Sequence, residues 1–348
     1  MTKQSASFGR TLPETSCAPK QSSAKCIVRR LRWQEGIGQG PIWITLWIRR
    51  NGCHAPPCWQ RPYRVHYATM KTILVPVEEH SLVDSVLETA LLLGRRFDSY
   101  IEGIAVTFDL PVVLPIDIAI GVPSPVAPET RHEMAATCRR HFESFMRTAG
   151  ISSSASAGVP GLSFGWRQKD LMDDAFVGSY GRIFDICVVG RPDGSANHPR
   201  ASTVEAALFE AGRPVLIAAP NVPETLGETV VIAWNRSTET ARTVAAAMPL
   251  LKRARRVVVL ELEGWGVEGP VGADLARLLR MHDLAVEART IPDPDNRPGE
   301  AILAEATALG CDLLVKGAYT QSRLRQMFFG GATSHILART TIPVLMAH

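Results

Sequence analysis

The residues best suited to chemistry lie near the C-terminus, where Gly317 opens a loop that closes on Gly330 and Gly331 just before a helix starting near Thr333. Glycine has no Cβ, so its backbone N–H can approach an anion closely, and the following helix points its positive N-terminal end at the same place. Ser322 and Arg323 stand inside this loop, and Ala332 and Thr333 stand where it becomes helix. Such a loop can hold phosphate. A second candidate group, Trp234, Asn235 and Ser237, ends an apolar run and precedes a helix expected to begin near Thr238. Asn235 supplies an acceptor, while Ser237 also suits a helix N-cap. Neither catalytic residues nor metal ligands are expected. His80, His132, His141, His198, His282 and His335 are scattered over the chain with no spacing that suggests a metal site or a Ser/His/Asp arrangement.

The elements that must position these residues emerge from an internal repeat. ILVPVE at 73–78 pairs with VVIAWN at 230–235, FDICVVG at 184–190 with CDLLVKG at 311–317, and PVLIA at 214–218 with PVLMA at 343–347. The first pair is offset by 157 positions and the second by 127. The drop places an insertion of about 30 residues in the first copy, and the Pro-rich stretch 107–128 is the expected site. That stretch is apolar, and its prolines exclude a regular helix or a central strand, so a flap over the first copy or an internal packing segment are the open readings. The strands are nearly continuous apolar runs, as in parallel sheets covered on both faces. Helices are expected between them, in the second copy at 238–251, 271–282, 298–309 and 333–339. Alternation of strand and helix predicts a doubly wound α/β fold, in which ligands sit beyond the carboxyl ends of the strands. The expected layout is an extension over 1–69, a first module over 70–220 and a second over 228–348 with its loop at 317–333.

The second copy resembles the universal stress protein family in this loop. That family's C-terminal signature is a Gly, two residues, a second Gly, nine residues, then Gly and Ser/Thr, wrapped around the ribose and phosphates of a nucleotide. Gly317 matches the first glycine and Gly330 the last, with the interval intact. Thr320 replaces the middle glycine and Gly331 the hydroxyl residue, for which Thr333 is a candidate substitute. Asn235 stands where the family carries an Asp near the adenine or ribose. The resemblance implies an adenine nucleotide alpha hydrolase-like fold, ATP or a related adenine nucleotide as ligand, and self-association between modules or as a homodimer. In the first copy GRPDGSANHPRAST carries Asp193 at the second-glycine position and lacks a Gly-Gly pair, which marks it as a structural partner. Glu78 stands there in the place of Asn235.

Charge and cysteine usage bound the remaining readings. Residues 1–69 hold 11 Lys/Arg against Glu14 and Glu35, a local charge of +9, while the whole chain is +4 and the remainder therefore −5. This gives no reason to expect a surface for nucleic acid or membrane on the folded body. The first 69 residues, with four of the chain's seven Trp and no sustained period of 2 or 3.6, read as a disordered or non-native extension. Scattered cysteines suit a reducing cytoplasm, and no apolar run reaches membrane-spanning length. The expected function is a non-catalytic, nucleotide-responsive stress protein. A tandem scaffold that binds no nucleotide and a slow ATPase are the alternatives.

Overall fold

The structure is a computed structural model that describes residues 27–33, 42–48, 70–106, 111–112, 122–123, 128–153, 161–168, 173–192, 197–221, 223–292, 295–318 and 332–348. Residues 1–65 and 66–348 form separate units. In the first, β1 (Ile27–Trp33) and β2 (Ile42–Ile48) pair antiparallel. The rest of the 1–69 extension lies outside the described residues.

The larger unit starts with β3 (Thr72–Val77), α1 (Val83–Phe97) and β4 (Tyr100–Ala105), followed by the short pair β5 (Pro111–Val112) and β6 (Val122–Pro123). The long helix α2 (Pro128–Thr148) comes next, then β7 (Ser152–Ser153), β8 (Ser163–Arg167), α3 (Asp174–Gly181), β9 (Ile186–Gly190), α4 (Ala201–Glu210) and β10 (Val215–Ala218). The second half runs β11 (Thr229–Ala233), α5 (Thr238–Leu251), β12 (Arg256–Leu262), α6 (Gly272–Arg280), β13 (Val286–Ile291), α7 (Pro298–Ala308), β14 (Leu313–Lys316), α8 (Ala332–Arg339) and β15 (Val344–Met346). All belong to one eleven-stranded sheet in the order β13-β12-β11-β14-β15-β10-β9-β3-β4-β8-β7, apart from the β5–β6 pair. Each half therefore lays its five main strands in the order 3-2-1-4-5, the doubly wound arrangement that the alternating apolar runs predict.

The repeat holds at single-residue register. Ile73 and Leu74 face Ile186 and Cys187 across β3 and β9, and their counterparts Val230 and Val231 face Leu313 and Leu314 across β11 and β14. A carboxylate fixes this register in both halves. Asp185 accepts from the N–H groups of Lys71 (2.7 Å) and Thr72 (2.9 Å), and Asp312 from those of Glu228 (2.9 Å) and Thr229 (2.9 Å). Each ties the start of a first strand to its neighbour. The core is built from the strands' Val, Ile and Leu residues, nearly all fully buried, with Phe142 and Phe164 in edge-to-face contact at 5.8 Å in the first half.

The insertion is distributed differently from the expectation. It does not reside in the 107–128 stretch alone. Residues 106–127 connect β4 to α2 where 263–271 suffice between β12 and α6, but α2 also has 21 residues against 9 in α6, and a longer connection follows it before β8. Length was added on both sides of a lengthened helix, which periodicity in the Pro-rich segment could not reveal. Beyond β5 and β6, the flap and packing readings of that segment lie outside the described residues.

The paired carboxylates give a test. Asp185→Ala and Asp312→Ala each leave two strand-initial N–H groups without their acceptor, so each should cost about 1–3 kcal/mol in urea unfolding. An unchanged midpoint in either variant would show that the tie does not hold the register.

Candidate functional site

Beyond the carboxyl end of β11 the chain turns through Trp234, Asn235 and Arg236 into α5. Ser237 is the N-cap of that helix, its Oγ accepting from the Thr240 N–H at 3.2 Å. The Asn235 Oδ1 accepts from the Ser237 N–H (3.2 Å) and from the Thr240 hydroxyl. Arg236 sits at φ 65°, a left-handed conformation uncommon for a residue with a side chain. Its guanidinium holds it there by donating to Glu261 on β12 (Nε to Oε1, 2.7 Å), and the other oxygen of Glu261 accepts from the Gly272 N–H at the start of α6 (2.6 Å). Glu261 is buried.

The connection from β12 to α6 folds over this turn. Trp234 Nε1 donates to the Pro270 carbonyl (2.9 Å) and the Val267 N–H to the Asn235 carbonyl (3.1 Å). Gly266 adopts φ 116°, and a Cβ there would lie 2.6 Å from the Asn235 carbonyl oxygen. The Trp234 indole is therefore packed and bonded within the protein.

Beside it, β14 ends in Lys316, and Gly317 follows. Gly317 lies so close to the N-terminus of α5 that a Cβ would stand 2.5 Å from Thr240 N. Lys316 is only 3% exposed. Its Nζ donates to Thr333 Oγ1 (2.6 Å) and to the Gly317 carbonyl (3.2 Å). Burial lowers its pKa from 10.5 to about 8. Sequence reasoning missed Lys316, because a lysine at a strand end normally reads as a solvated side chain. The signal was present nonetheless: from Leu313 to His348 there is no Asp or Glu, while Lys316, Arg323, Arg325 and Arg339 are all basic.

The structure thus gathers Asn235, Ser237 and Gly317 around the start of α5, and places Thr333 with Lys316 at the start of α8. Ala332 is the first residue of α8. Ser322, Arg323, Gly330 and Gly331 lie outside the described residues. Thr333, considered above as a hydroxyl for the ligand, already accepts from Lys316.

At the equivalent place in the first half the polar groups satisfy one another. Arg200 donates to Glu78 (Nε to Oε1, 3.2 Å) and to Asp174 (2.9 Å), and the Thr203 hydroxyl lies within hydrogen-bond reach of both carboxylates. A Cβ on Gly190 would meet Pro199 Cγ at 2.2 Å, so the chain before α4 is folded down onto the strand end. Among the described residues, no cluster of three or more His, Cys, Asp or Glu could hold a metal ion, and no helix is long and apolar enough to cross a membrane.

Residues 228–348 match the sequence model of the Universal stress protein family. No curated protein matches the chain. Among solved structures, a universal stress protein from Archaeoglobus fulgidus DSM 4304 superposes with a TM-score of 0.61 at 16% identity, covering 81% of this chain and 97% of that one. A functionally unknown protein from Pseudomonas aeruginosa PAO1 gives a TM-score of 0.47 at 13% identity, over 80% of this chain and 93% of that one. The universal stress protein UspA from Lactobacillus plantarum gives 0.31 at 18% identity, over 44% of this chain and 99% of that one. At 16% identity, the superposition on the Archaeoglobus protein shows the fold alone.

Two predictions follow from the geometry. Gly266→Ala combines an unfavourable backbone region with a clash against the Asn235 carbonyl, and should lower stability by about 1–3 kcal/mol in chemical unfolding. A neutral result would mean that the loop over the turn can shift freely. For Lys316 the folded pKa of about 8 lies below the unfolded 10.5, so between these values the unfolded chain binds more protons and stability rises with pH. Below pH 8 the full penalty is present. Lys316→Met should therefore be the more stable protein at pH 7, by on the order of 2–3 kcal/mol, and its advantage should shrink as pH rises from 8 to 10.5. A pH-independent difference between the two proteins would show that Lys316 is not held against its charge.

Proposed function

We propose, from the fact that the second module is a universal stress protein domain, that this protein is a stress-response protein whose second module binds ATP or a related adenine nucleotide as a conformational ligand. Family membership supports the stress-response role. The observation that carries the nucleotide reading is the junction of β14 with α5 and α8. There Gly317 brings backbone against one helix N-terminus, Lys316 lies beside a second, and the chain from Leu313 onward contains no Asp or Glu. Anionic phosphate is the chemistry this arrangement fits. Asn235 and Ser237, with Gly317, Ser322, Arg323, Gly330, Gly331, Ala332 and Thr333, would surround the nucleotide. When bound, the nucleotide would supply negative charge to a site otherwise surplus in positive charge. We read its role as binding without turnover, with slow ATP hydrolysis as the enzymatic alternative.

The first module acts as a structural partner in this reading, because Glu78 and Asp174 would repel phosphate and Arg200 is engaged with both. The buried, unpaired Cys138, Cys187 and Cys311 support a reducing, cytoplasmic compartment. A scaffold that binds no nucleotide is favoured by one observation: the β12–α6 connection already packs against the turn after β11, through Val267 and Pro270.

Calorimetric titration with ATP separates the two. Gly331→Asp adds negative charge and a Cβ before α8, and should weaken ATP by about 2 kcal/mol or more while folding is retained, since Asp is favourable near a helix N-terminus. Ser202→Asp, the corresponding change in the first turn of α4, should leave the affinity unaltered. Equal affinity in wild type and Gly331→Asp would remove the phosphate-loop assignment, and absence of heat in all three proteins would establish the scaffold reading.

A further inference from the structure

We propose that Lys316 is the charge-selecting residue of the second module's site, and that a phosphorylated ligand binds there together with a proton taken up on Lys316 Nζ. This rests on the nucleotide reading above and adds to it a specific residue and a linkage to pH.

An ammonium group has three N–H donors. Lys316 directs two of them at neutral acceptors, the Thr333 hydroxyl and the Gly317 carbonyl. Neither can balance its charge. Among the described residues no carboxylate pairs with Lys316, and the sequence of the connection over 319–331 has no Asp or Glu while it carries Arg323 and Arg325. A buried cation without a counter-charge is costly, and such a group tends to shed its proton.

The elements around Lys316 do not relieve this. β11 and β15 carry no titratable side chain. α5 contributes Glu239 and Arg242, α8 contributes His335 and Arg339, and His348 follows β15. Burial alone depresses the Lys316 pKa, to about 8.

The fold has no need of a lysine here. The corresponding residue at the end of β9 is Val189, equally buried at 2% exposure, and the same strand continues into the same glycine. Valine fills that position at no electrostatic cost. A lysine in its place imposes a penalty that an anionic ligand would reverse, since a phosphate oxygen beside Nζ supplies the missing charge and a charge-assisted hydrogen bond. The proton comes from solvent onto the nitrogen lone pair, and no bond of the ligand is made or broken. An uncharged nucleoside brings no such compensation, so the site should discriminate by phosphate.

The test is titration of the full chain with ATP at pH 8.5 in two buffers of different ionisation enthalpy, with adenosine as the uncharged probe. The terminal phosphate of ATP, with a pKa of about 6, is fully ionised at that pH, so proton uptake reports the protein. Wild type should take up roughly half a proton or more per ATP, and its affinity should fall about tenfold between pH 7.5 and pH 9.5. Lys316→Met should bind ATP at least tenfold more weakly at pH 7.5, show no proton uptake, and leave adenosine binding unchanged. Equal ATP affinity and equal uptake in Lys316→Met would overturn this inference while the nucleotide reading stood. Absence of ATP binding in wild type would remove both. Should the variant not fold, the wild-type profile decides alone: an affinity independent of pH from 7.5 to 9.5 overturns the linkage.

Discussion

Three residue pairs, Val215 with Met346, Leu216 with Leu345 and Ile217 with Val344, hold β10 antiparallel to β15, and the direction of that ladder decides where every strand of the folded body ends. Within each half the main strands run parallel to their neighbours, so an antiparallel junction turns the halves head to tail. The carboxyl ends of one half point away from those of the other. Two edges that would otherwise present unpaired N–H and C=O groups are covered by each other, and the pairing is near-symmetric about Leu216 and Leu345. Side chains reinforce it from both faces. The Arg96 guanidinium at the end of α1 reaches the Gly227 carbonyl (3.0 Å) and the Glu228 carboxylate (2.6 Å), Arg191 donates to the Leu337 carbonyl of α8 (3.2 Å), and the Phe209 and His348 rings meet at 4.7 Å. Because the strand ends diverge, each half must furnish its own ligand groups, and one half can serve the fold while the other holds chemistry.

The same frame carries opposite electrostatics in the two halves. Beside the first strand's end, one half presents Glu78 and the other Asn235. Glu78 is buried, and a buried carboxylate demands partners; Arg200 and Thr203 provide them, closing the place with a self-sufficient cluster. Asn235 makes a smaller demand, met by Ser237 and Thr240 at the start of α5. The charge that is balanced internally in the first half has no such carboxylate partner in the second, where among the described residues Lys316 donates to a hydroxyl and a carbonyl.

Much of the architecture was legible in the sequence, because its causes are local. Apolar β-branched runs mark the strands, Ser237 marks the start of α5 with its own side chain, and Pro298 sits where its missing N–H costs nothing at the start of α7. The resemblance pointed to Gly317, which the structure sets against the start of α5. Less was legible where the cause lies far away in the chain. The burial of Lys316 depends on α8 returning over β14, a contact across 17 residues with Thr333. The role of Glu261, which joins Arg236 to the start of α6, needs a third element to be seen. The spread of the first half's insertion over a longer helix and two longer connections escaped a reading that looked only for unusual composition.

A duplicated chain carries its own control, and this one separates what the fold requires from what it merely tolerates. Asp185 and Asp312 make the same bonds to the same strand starts, so both halves need a carboxylate there to set register. Gly190 and Gly317 both end a strand against a close neighbour, a proline in one case and the start of α5 in the other, and any Cβ would collide in either. These identities belong to architecture. The differences do not: the frame closes as well around Val189 as around Lys316, and around Glu78 as around Asn235. Since a buried lysine costs stability that valine does not, its presence at one of two equivalent positions is not explained by folding. The anion proposed at the start of α8, which the second half would meet and the first would not, accounts for that difference through charge.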